Sequence, residues 1–533
     1  MSNVAVSRRE KQLLTHYPEP VTALAMSGWG EASKNRRQST IHSYTLQNYH
    51  SLPQDTKTLR TVQEMTSPKA MKNVIVLSVA FMFIFTAFVS LQSLQSTLHP
   101  GGVGVASLSC IYGTTVLSCL LAPWLINKLS TKWTMVISFV LFSGYFTANF
   151  YPTHWILLPC AVSLGLLAGP LWSAQATYLT TLALTYSQHM NIQEPDGIIN
   201  KYMGIFCGFY RSSQIWGNLI STLVLSHNSS HAAAVTLLAD DNQNFSHCGA
   251  RDCPSSWSSE WPADTDEPRD GAFNNGYVSY DVIIPDSTRY LLLSIYLGCG
   301  IMGIVILVAL LDRGNVGDKD VDPASNLTSC ELALSTLKMF KDSKCLLLIP
   351  LVLFVGLEQG FMFGDFTKSY VNCTLGVHNI GPILICFGAV SAVSSIAIGY
   401  IAEHIKRFLF ITAGATFNIG LLIVLWLWRP QPIDIPNFYV IAGCLGLCDA
   451  IWHTQTYTLF GVLFPHKQEG AFSSYRMFHA TGCAIAFGYN YVLCVETKVY
   501  ILSGVLALAL ALYSVIEMKV QLQSQYIGDI VAL

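Results

Sequence analysis

The feature that most constrains this chain is a series of apolar stretches that recurs from residue 73 to residue 518. Each is about twenty residues long and nearly free of charge, which is enough to cross a bilayer as a helix. Only 12% of all residues are charged, about half of the share that is usual in soluble domains. Since lipid cannot satisfy open backbone groups, we predict an all-α polytopic membrane protein.

We predict twelve membrane spans. They cover residues 73–98, 103–127, 133–151, 154–186, 201–226, 289–311, 345–364, 380–402, 408–428, 437–463, 471–495 and 499–518. A polar, disordered head (1–72) precedes the first six-helix half (73–311). A linker (312–344), the second half (345–518) and a tail (519–533) follow.

Basic residues set the predicted orientation. Most of the Lys and Arg residues lie on the side of the head, and such residues favour the cytoplasmic side of a membrane. Both termini are therefore predicted to be cytoplasmic and the long loop 227–288 to be outside. Asn228, Asn244 and Asn372 then become glycosylation acceptors, whereas the sequon at Asn326 falls inside and is predicted to be unmodified.

Four cysteines lie on the predicted outer side. Cys248 and Cys253 belong to the long loop, and Cys373 and Cys494 lie at the outer ends of spans. Because that compartment is oxidising, we expect disulfides. Of the three possible pairings, we favour Cys248 with Cys253 and Cys373 with Cys494.

A polar motif is repeated at membrane depth. The pattern Trp-x-x-Gln-x-x-x-Leu places its residues on one helix face, and it occurs as Trp172, Gln175 and Leu179 and again as Trp452, Gln455 and Leu459. Coincidence between two apolar helices is the plain alternative. Further echoes at similar offsets, with six spans in each half, predict parallel repeats around a shared centre, which is the major facilitator architecture.

Three ionisable residues are predicted near the middle of the membrane: Arg211, Glu358 and Asp449. An isolated charge there is costly, so each residue has either a functional role or a static partner. Both interpretations stay open. In the facilitator architecture, spans 5 and 7 line the central cavity, so we expect Arg211 and Glu358 to meet there, with Asp449 as the alternative partner of Arg211.

The inner loops differ in how much of a facilitator gating motif they retain. The loop 127–132 lacks the acidic and arginine members of that motif. Its counterpart 399–407 keeps more of it and offers Glu403, Lys406 and Arg407 as inner gate candidates. This partial loss argues against a complete transport cycle.

Several ordered runs resemble the unc-93 family, most closely its homolog A branch. They are Leu-Gln-Ser-Leu-Gln-Ser at 91–96, Pro-Leu-Trp-Ser-Ala-Gln at 170–175, Trp-Gly-Asn-Leu-Ile-Ser at 216–221 and Tyr-Thr-Leu-Phe-Gly-Val-Leu-Phe at 457–464. The resemblance covers residues 73–518. It implies a facilitator-like fold in the plasma membrane or in endosomal membranes, and a role in regulating potassium channels or in escorting Toll-like receptors.

Two classes of function stay open. In the first, the chain is an accessory or regulatory partner of another membrane protein, either a potassium channel or a receptor that it escorts. The second is a secondary transporter of a small solute, coupled to protons through Glu358 or Asp449. The sequence contains no Walker loop, nucleophile motif or metal-spaced cluster outside the spans. We therefore predict no enzymatic activity, no cofactor, no metal and no nucleic-acid partner.

Overall fold

The structure is a computed structural model. It describes residues 67–98, 103–192, 195–227, 245–254, 286–312, 335–402, 404–465, 467–489 and 492–531. Within these residues the chain forms helices and short helical turns, without a β-strand. Most of the predicted head, of the long outer loop and of the linker lies outside the described residues, and the last residues of the head, 67–72, belong to the first helix. So do Asn228, Asn244, Asn326 and Glu403.

The described residues contain twelve helices of sixteen residues or more. They are α1 Ser67–Leu98, α2 Val103–Ser118, α3 Ala122–Ala148, α4 His154–His189, α5 Asp196–His227, α6 Asp286–Leu310, α7 Ser343–Phe361, α8 Ile380–Ile401, α9 Arg407–Leu427, α10 Ile435–Leu463, α11 Gln468–Gly488 and α12 Val495–Val531. The helix bundle up to Leu522 belongs to one compact unit, Leu52–Leu522. The second unit, 1–51 with 523–533, is described only at the end of α12.

Not all of these helices are apolar enough to cross a membrane by length and composition alone. Among the described residues, eight are, or nine if the bent pair α2–α3 counts as one span. The two others, α5 and α11, are more polar, because they carry the buried charged and hydroxyl side chains of the protein's centre. The twelve-span count therefore stays a prediction.

The boundary between the second and third predicted spans is wrong. The sequence predicts a span at 103–127, but α2 ends at Ser118, and after a break the chain turns by 97° into α3. Pro123 lies in the first turn of α3, where its missing N–H costs nothing. Inside α3, Ser130 has φ 69° and interrupts the helix. The predicted loop between these two spans is therefore not seen. The chain turns before Pro123 instead, and inside α3 it departs from helical geometry at Ser130.

Lys132, two residues after Ser130, has a structural role. The side chain is buried, and its Nζ donates to the carbonyl oxygens of Val308, at 3.0 Å, and Leu311, at 2.5 Å. These carbonyls lie at the end of α6, where a helix leaves acceptors unsatisfied. A cation there also interacts favourably with the helix dipole. Lys132 therefore caps α6.

Close helix packing depends on glycine at the α5–α8 crossing. A Cβ placed on Gly204 would lie 2.6 Å from the Cα of Gly399, and one on Gly208 would clash with Ile396. The Gly165 and Gly169 positions press in the same way against α2. Small residues at this spacing let helix backbones approach within the bundle.

Candidate functional site

A charged cluster lies buried where α5, α8 and α10 meet. An Nη of Arg211 on α5 lies 2.6 Å from one carboxylate oxygen of Asp449 on α10. The other oxygen accepts a hydrogen bond of 2.7 Å from Ser391 on α8. The side chains of Arg211 and Asp449 are 2% and 9% exposed, so each charge depends on the other for compensation.

The expected pair of Arg211 with Glu358 is therefore wrong. Glu358, on α7, accepts a short hydrogen bond from the side-chain amide of Asn418 on α9. Depth along a helix can be read from the sequence, but the direction in which a side chain points around the bundle cannot. Asp449, the alternative partner, holds Arg211 instead.

A small cavity lies beside this cluster. It has room for water rather than for a larger solute. It is lined by Trp172, Phe206, Cys207, Tyr210, Arg211, Gln359, His453, Tyr457 and Arg476. The wall is thus aromatic on several sides, with two arginines and one histidine as its basic side chains.

Sequence reasoning identifies Trp172 and Arg211 in this lining but not the others, and the charged residue among those it misses is Arg476 on α11. It lies close to the predicted start of its span, where it resembles an ordinary inner basic residue. Its guanidinium carbon lies 4.5 Å from the centre of the Trp172 ring on α4, within range of a cation–π contact. Its Nη1 lies 3.3 Å from Nδ1 of His479. The position of Arg476 more than one turn into its helix is the signal that could have found it.

His453 lies between the charged cluster and the cavity, since it is close to Asp449 and also lines the cavity. Its Nε2 lies 3.6 Å from the carboxylate of Asp449, too far for a good hydrogen bond. Its ring lies 5.4 Å from that of His479. Both histidines therefore belong to the polar centre, although lone histidines in apolar stretches are ordinarily packing residues.

The two Trp-Gln motifs have different surroundings. Trp172 lines the cavity and lies 5.0 Å from the Tyr210 ring, whereas Trp452 is buried against Phe354. Gln175 is fully buried, and no described residue hydrogen-bonds its amide. Gln455 lies 3.5 Å from Asn200 on α5, at the limit of a hydrogen bond. The repeat in sequence is thus not a repeat in contacts.

The inner gate candidates separate in the structure. Lys406 is exposed just before α9. Arg407 begins α9, lies near Asp196 and Glu517, and hydrogen-bonds Tyr513. Arg407 therefore connects the start of α9 to α5 and α12, and its part in an inner gate stays a prediction.

The preferred disulfide pairing is wrong. Cys248 is bonded to Cys373, and Cys253 is bonded to Cys494. A turn at Gly249–Arg251 separates the two loop cysteines and directs them to different helices. Gly249, at φ 78°, packs against Pro430 and Tyr370, a conformation that favours glycine. The segment 245–254 is thus bonded to Cys373 in the segment that follows α7 and to Cys494 directly before α12.

A second buried ion pair lies close to these bonds. Helix α7 continues as a π-helix, Met362–Asn372, which carries Asp365. The Nζ of Lys498 on α12 lies 2.5 Å from the Asp365 carboxylate, and both side chains are fully buried. Asn372, a glycosylation candidate, is exposed at the end of the π-helix. The pair joins the π-helix to α12, the two regions next to which the disulfides attach the segment 245–254.

Known proteins resemble this chain in sequence and in fold. A family profile described as "Ion channel regulatory protein UNC-93" matches residues 100–513. "Protein unc-93 homolog A" of Xenopus laevis is 38% identical over 452 residues, covering 84% of this chain and 93% of the relative.

A more distant relative carries a functional name. "Putative potassium channel regulatory protein unc-93" of Caenorhabditis elegans is 29% identical over 437 residues, which is 81% of this chain and 59% of that protein. Among solved structures, the Escherichia coli fucose:proton symporter FucP aligns with a TM-score of 0.57 at 13% identity. That alignment covers 84% of this chain and 98% of FucP. The fold is thus similar to that of a major facilitator transporter.

Proposed function

This chain belongs to the UNC-93 family, and on that premise we propose that it is a non-enzymatic accessory protein that regulates a potassium channel. The observation that carries the proposal is the family match, which extends through residues 100–513 and so through nearly the whole helical bundle. The name of the Caenorhabditis elegans relative assigns that class of partner to a protein that aligns with 81% of this chain at 29% identity.

The polar centre supports a regulatory rather than a transporting role. Arg211 and Asp449 neutralise each other, and Ser391 occupies the second carboxylate oxygen. The adjoining cavity has little room, whereas small-molecule sites enclose about 300–1,000 Å³. Such a centre favours a fixed bundle that presents its outer surface to a partner.

The proposed arrangement in the membrane follows the sequence. Twelve spans cross the plasma membrane in two six-helix halves, with both termini in the cytoplasm and the loop 227–288 outside. In this orientation the disulfide-bonded segment 245–254 is extracellular, where such bonds persist. Endosomal membranes are the alternative location.

The proposal is tested by purifying the tagged chain in mild detergent from membranes that naturally contain it. We expect a potassium channel subunit to co-purify at a fixed ratio. Arg211→Gln, which leaves Asp449 uncompensated, should reduce recovery of both proteins together. Absence of a channel subunit from the purified complex, together with solute uptake by the purified chain in vesicles, would contradict the proposal.

A secondary transporter of a small solute is the second candidate. It is favoured by the fold, which is similar to that of a symporter, and by titratable groups around a central cavity. Glu358 and Asp449 are the proton-coupling residues under this hypothesis. Uptake that dissipates a proton gradient in vesicles, and that Glu358→Gln abolishes, would support it over the regulatory role.

A further inference from the structure

The charges around the central cavity do not balance. Two arginines line it, but Arg211 already forms an ion pair with Asp449. In the part of the chain that the structure describes, Arg476 forms no ion pair with Asp or Glu. The carboxylate of Glu358 is bonded to Asn418 instead. Arg476 is thus a half-buried cation without a protein anion, and inside a membrane bundle such a charge is costly unless water or an ion neutralises it.

The polar atoms beside Arg476 also lack acceptors. The Nε of Arg476 is buried, and no described residue accepts a hydrogen bond from it. The Nε2 of His479 is buried and unpartnered in the same way. His479 Nδ1 faces the guanidinium, which can only donate. That contact places the ring proton on Nε2, so both open positions are donors.

The geometry points to a small monovalent anion of the size of chloride, bound in the cavity by Arg476. The space is small enough to limit the ligand to a single small ion and to exclude a drug-sized solute. Trp172 and Tyr457 form the walls, and Gln359 adds an amide. The positive edges of aromatic rings tolerate an anion. This site stands whether or not a potassium channel is the partner.

The anion also explains how Arg476 bridges two helices. Its guanidinium lies over Trp172 of α4 while its backbone belongs to α11. Ser473 of α11 donates to Ser173 of α4 at 3.1 Å in the same region. Neutralising Arg476 stabilises this α4–α11 contact, so binding of the anion favours the conformation seen here.

The test is thermal unfolding of the purified full chain in sodium chloride and in sodium gluconate at equal ionic strength. Gluconate is too large for the cavity, and equal ionic strength removes screening as a cause. We expect the unfolding midpoint of the wild type to rise with chloride, as it does when a ligand binds the folded state alone. Arg476→Gln should lose this rise.

Two further variants sharpen the result. In gluconate, Arg476→Gln should unfold at a higher temperature than the wild type, since the unpaired charge is gone, and chloride should reverse that order. Arg476→Lys should keep a weaker chloride dependence, because it retains the charge but not the planar fork. The control Arg289→Gln removes an arginine that is paired with Asp286 outside the cavity, and it should respond to chloride as the wild type does.

The proposal is overturned if the wild type unfolds alike in both salts, or if Arg476→Gln keeps the full chloride dependence. Should Arg476→Gln fail to fold, wild-type crystals grown in bromide decide the matter. An anomalous peak beside the Arg476 guanidinium is expected, and its absence would refute the site.

Discussion

At the scale of single residues, the centre of the bundle depends on Arg211 and Asp449. Their ion pair is almost wholly buried, and Ser391 adds a hydrogen bond to the carboxylate. Taking two charges out of water is offset only when they meet at close range with their remaining bonds satisfied. The pair therefore fixes the crossing of α5 and α10 more than it adds stability.

Replacing only one member of this ion pair should lower the stability of the protein. Arg211→Gln and Asp449→Asn should each lower the free energy of unfolding by about 3–5 kcal/mol, because each leaves one buried charge alone. The double variant should recover most of that loss. Thermal unfolding of the purified chain measures it.

The matched control combines Arg211→Gln with Glu358→Gln. Since Glu358 is bonded to Asn418 and not to Arg211, these two losses should add. Additive losses for Arg211 with Asp449 would show that the pair does not exist.

The sequence locates these residues but does not pair them. A charge inside an apolar run is conspicuous, so Arg211, Glu358 and Asp449 can be identified from the amino-acid sequence alone. Their partners depend on how each helix is rotated about its axis in the bundle, and the local sequence does not show that rotation. Arg476 is less conspicuous because it lies close to the predicted start of its span, on the cytoplasmic side, where a basic residue is ordinary.

At the scale of elements, glycines decide how closely helices approach. Gly204 of α5 meets Gly399 of α8 backbone to backbone. The apolar stretches predict nearly all of the helices, because length and hydropathy are local properties. It misses the turn after Ser118 and the π-helix beyond Phe361, because these depend on tertiary packing.

Filling the α5–α8 contact should separate the helices. In Gly204→Ala the new Cβ would lie 2.6 Å from the Cα of Gly399, so we expect a loss of about 1–3 kcal/mol in unfolding free energy. Gly298→Ala on α6 is the control, since nothing lies within 4 Å of its added carbon. It should be neutral or slightly stabilising. Equal effects of both changes on the thermal midpoint would refute the tight crossing.

The disulfides make a prediction that separates two pairings. Cys248→Ser and Cys373→Ser remove the same bond, so each should cost about 2–5 kcal/mol and the double variant no more than either. Cys248→Ser with Cys253→Ser should cost more than either change alone, since two bonds are lost. Peptide mapping without reduction provides the direct measurement. A linked peptide that joins Cys248 to Cys253 would contradict the structure.

At the scale of the whole molecule, the fold is of facilitator type, the Arg211–Asp449 pair at its centre is neutralised, and the cavity beside that pair is narrow. This combination suits a bundle that serves as a partner for another membrane protein. The orientation of that bundle rests on basic residues and on sequons, which are read from the sequence alone.

Glycosylation tests the orientation. Glycosidase treatment should increase the gel mobility of the wild type, and Asn244→Gln should remove part of that shift. Asn326→Gln is the control and should change nothing, because the linker is predicted to be cytoplasmic. A shift that depends on Asn326 would place the linker outside.

Regulation of a potassium channel is measured most directly as whole-cell potassium current in cells that naturally contain this chain. Removing the chain should change the current density at unchanged channel transcript levels. Re-expression of the wild type should restore the current, whereas Arg211→Gln should not. An unchanged potassium current after removal of the chain, accompanied by loss of uptake of a small solute, would contradict the regulatory role and establish transport instead.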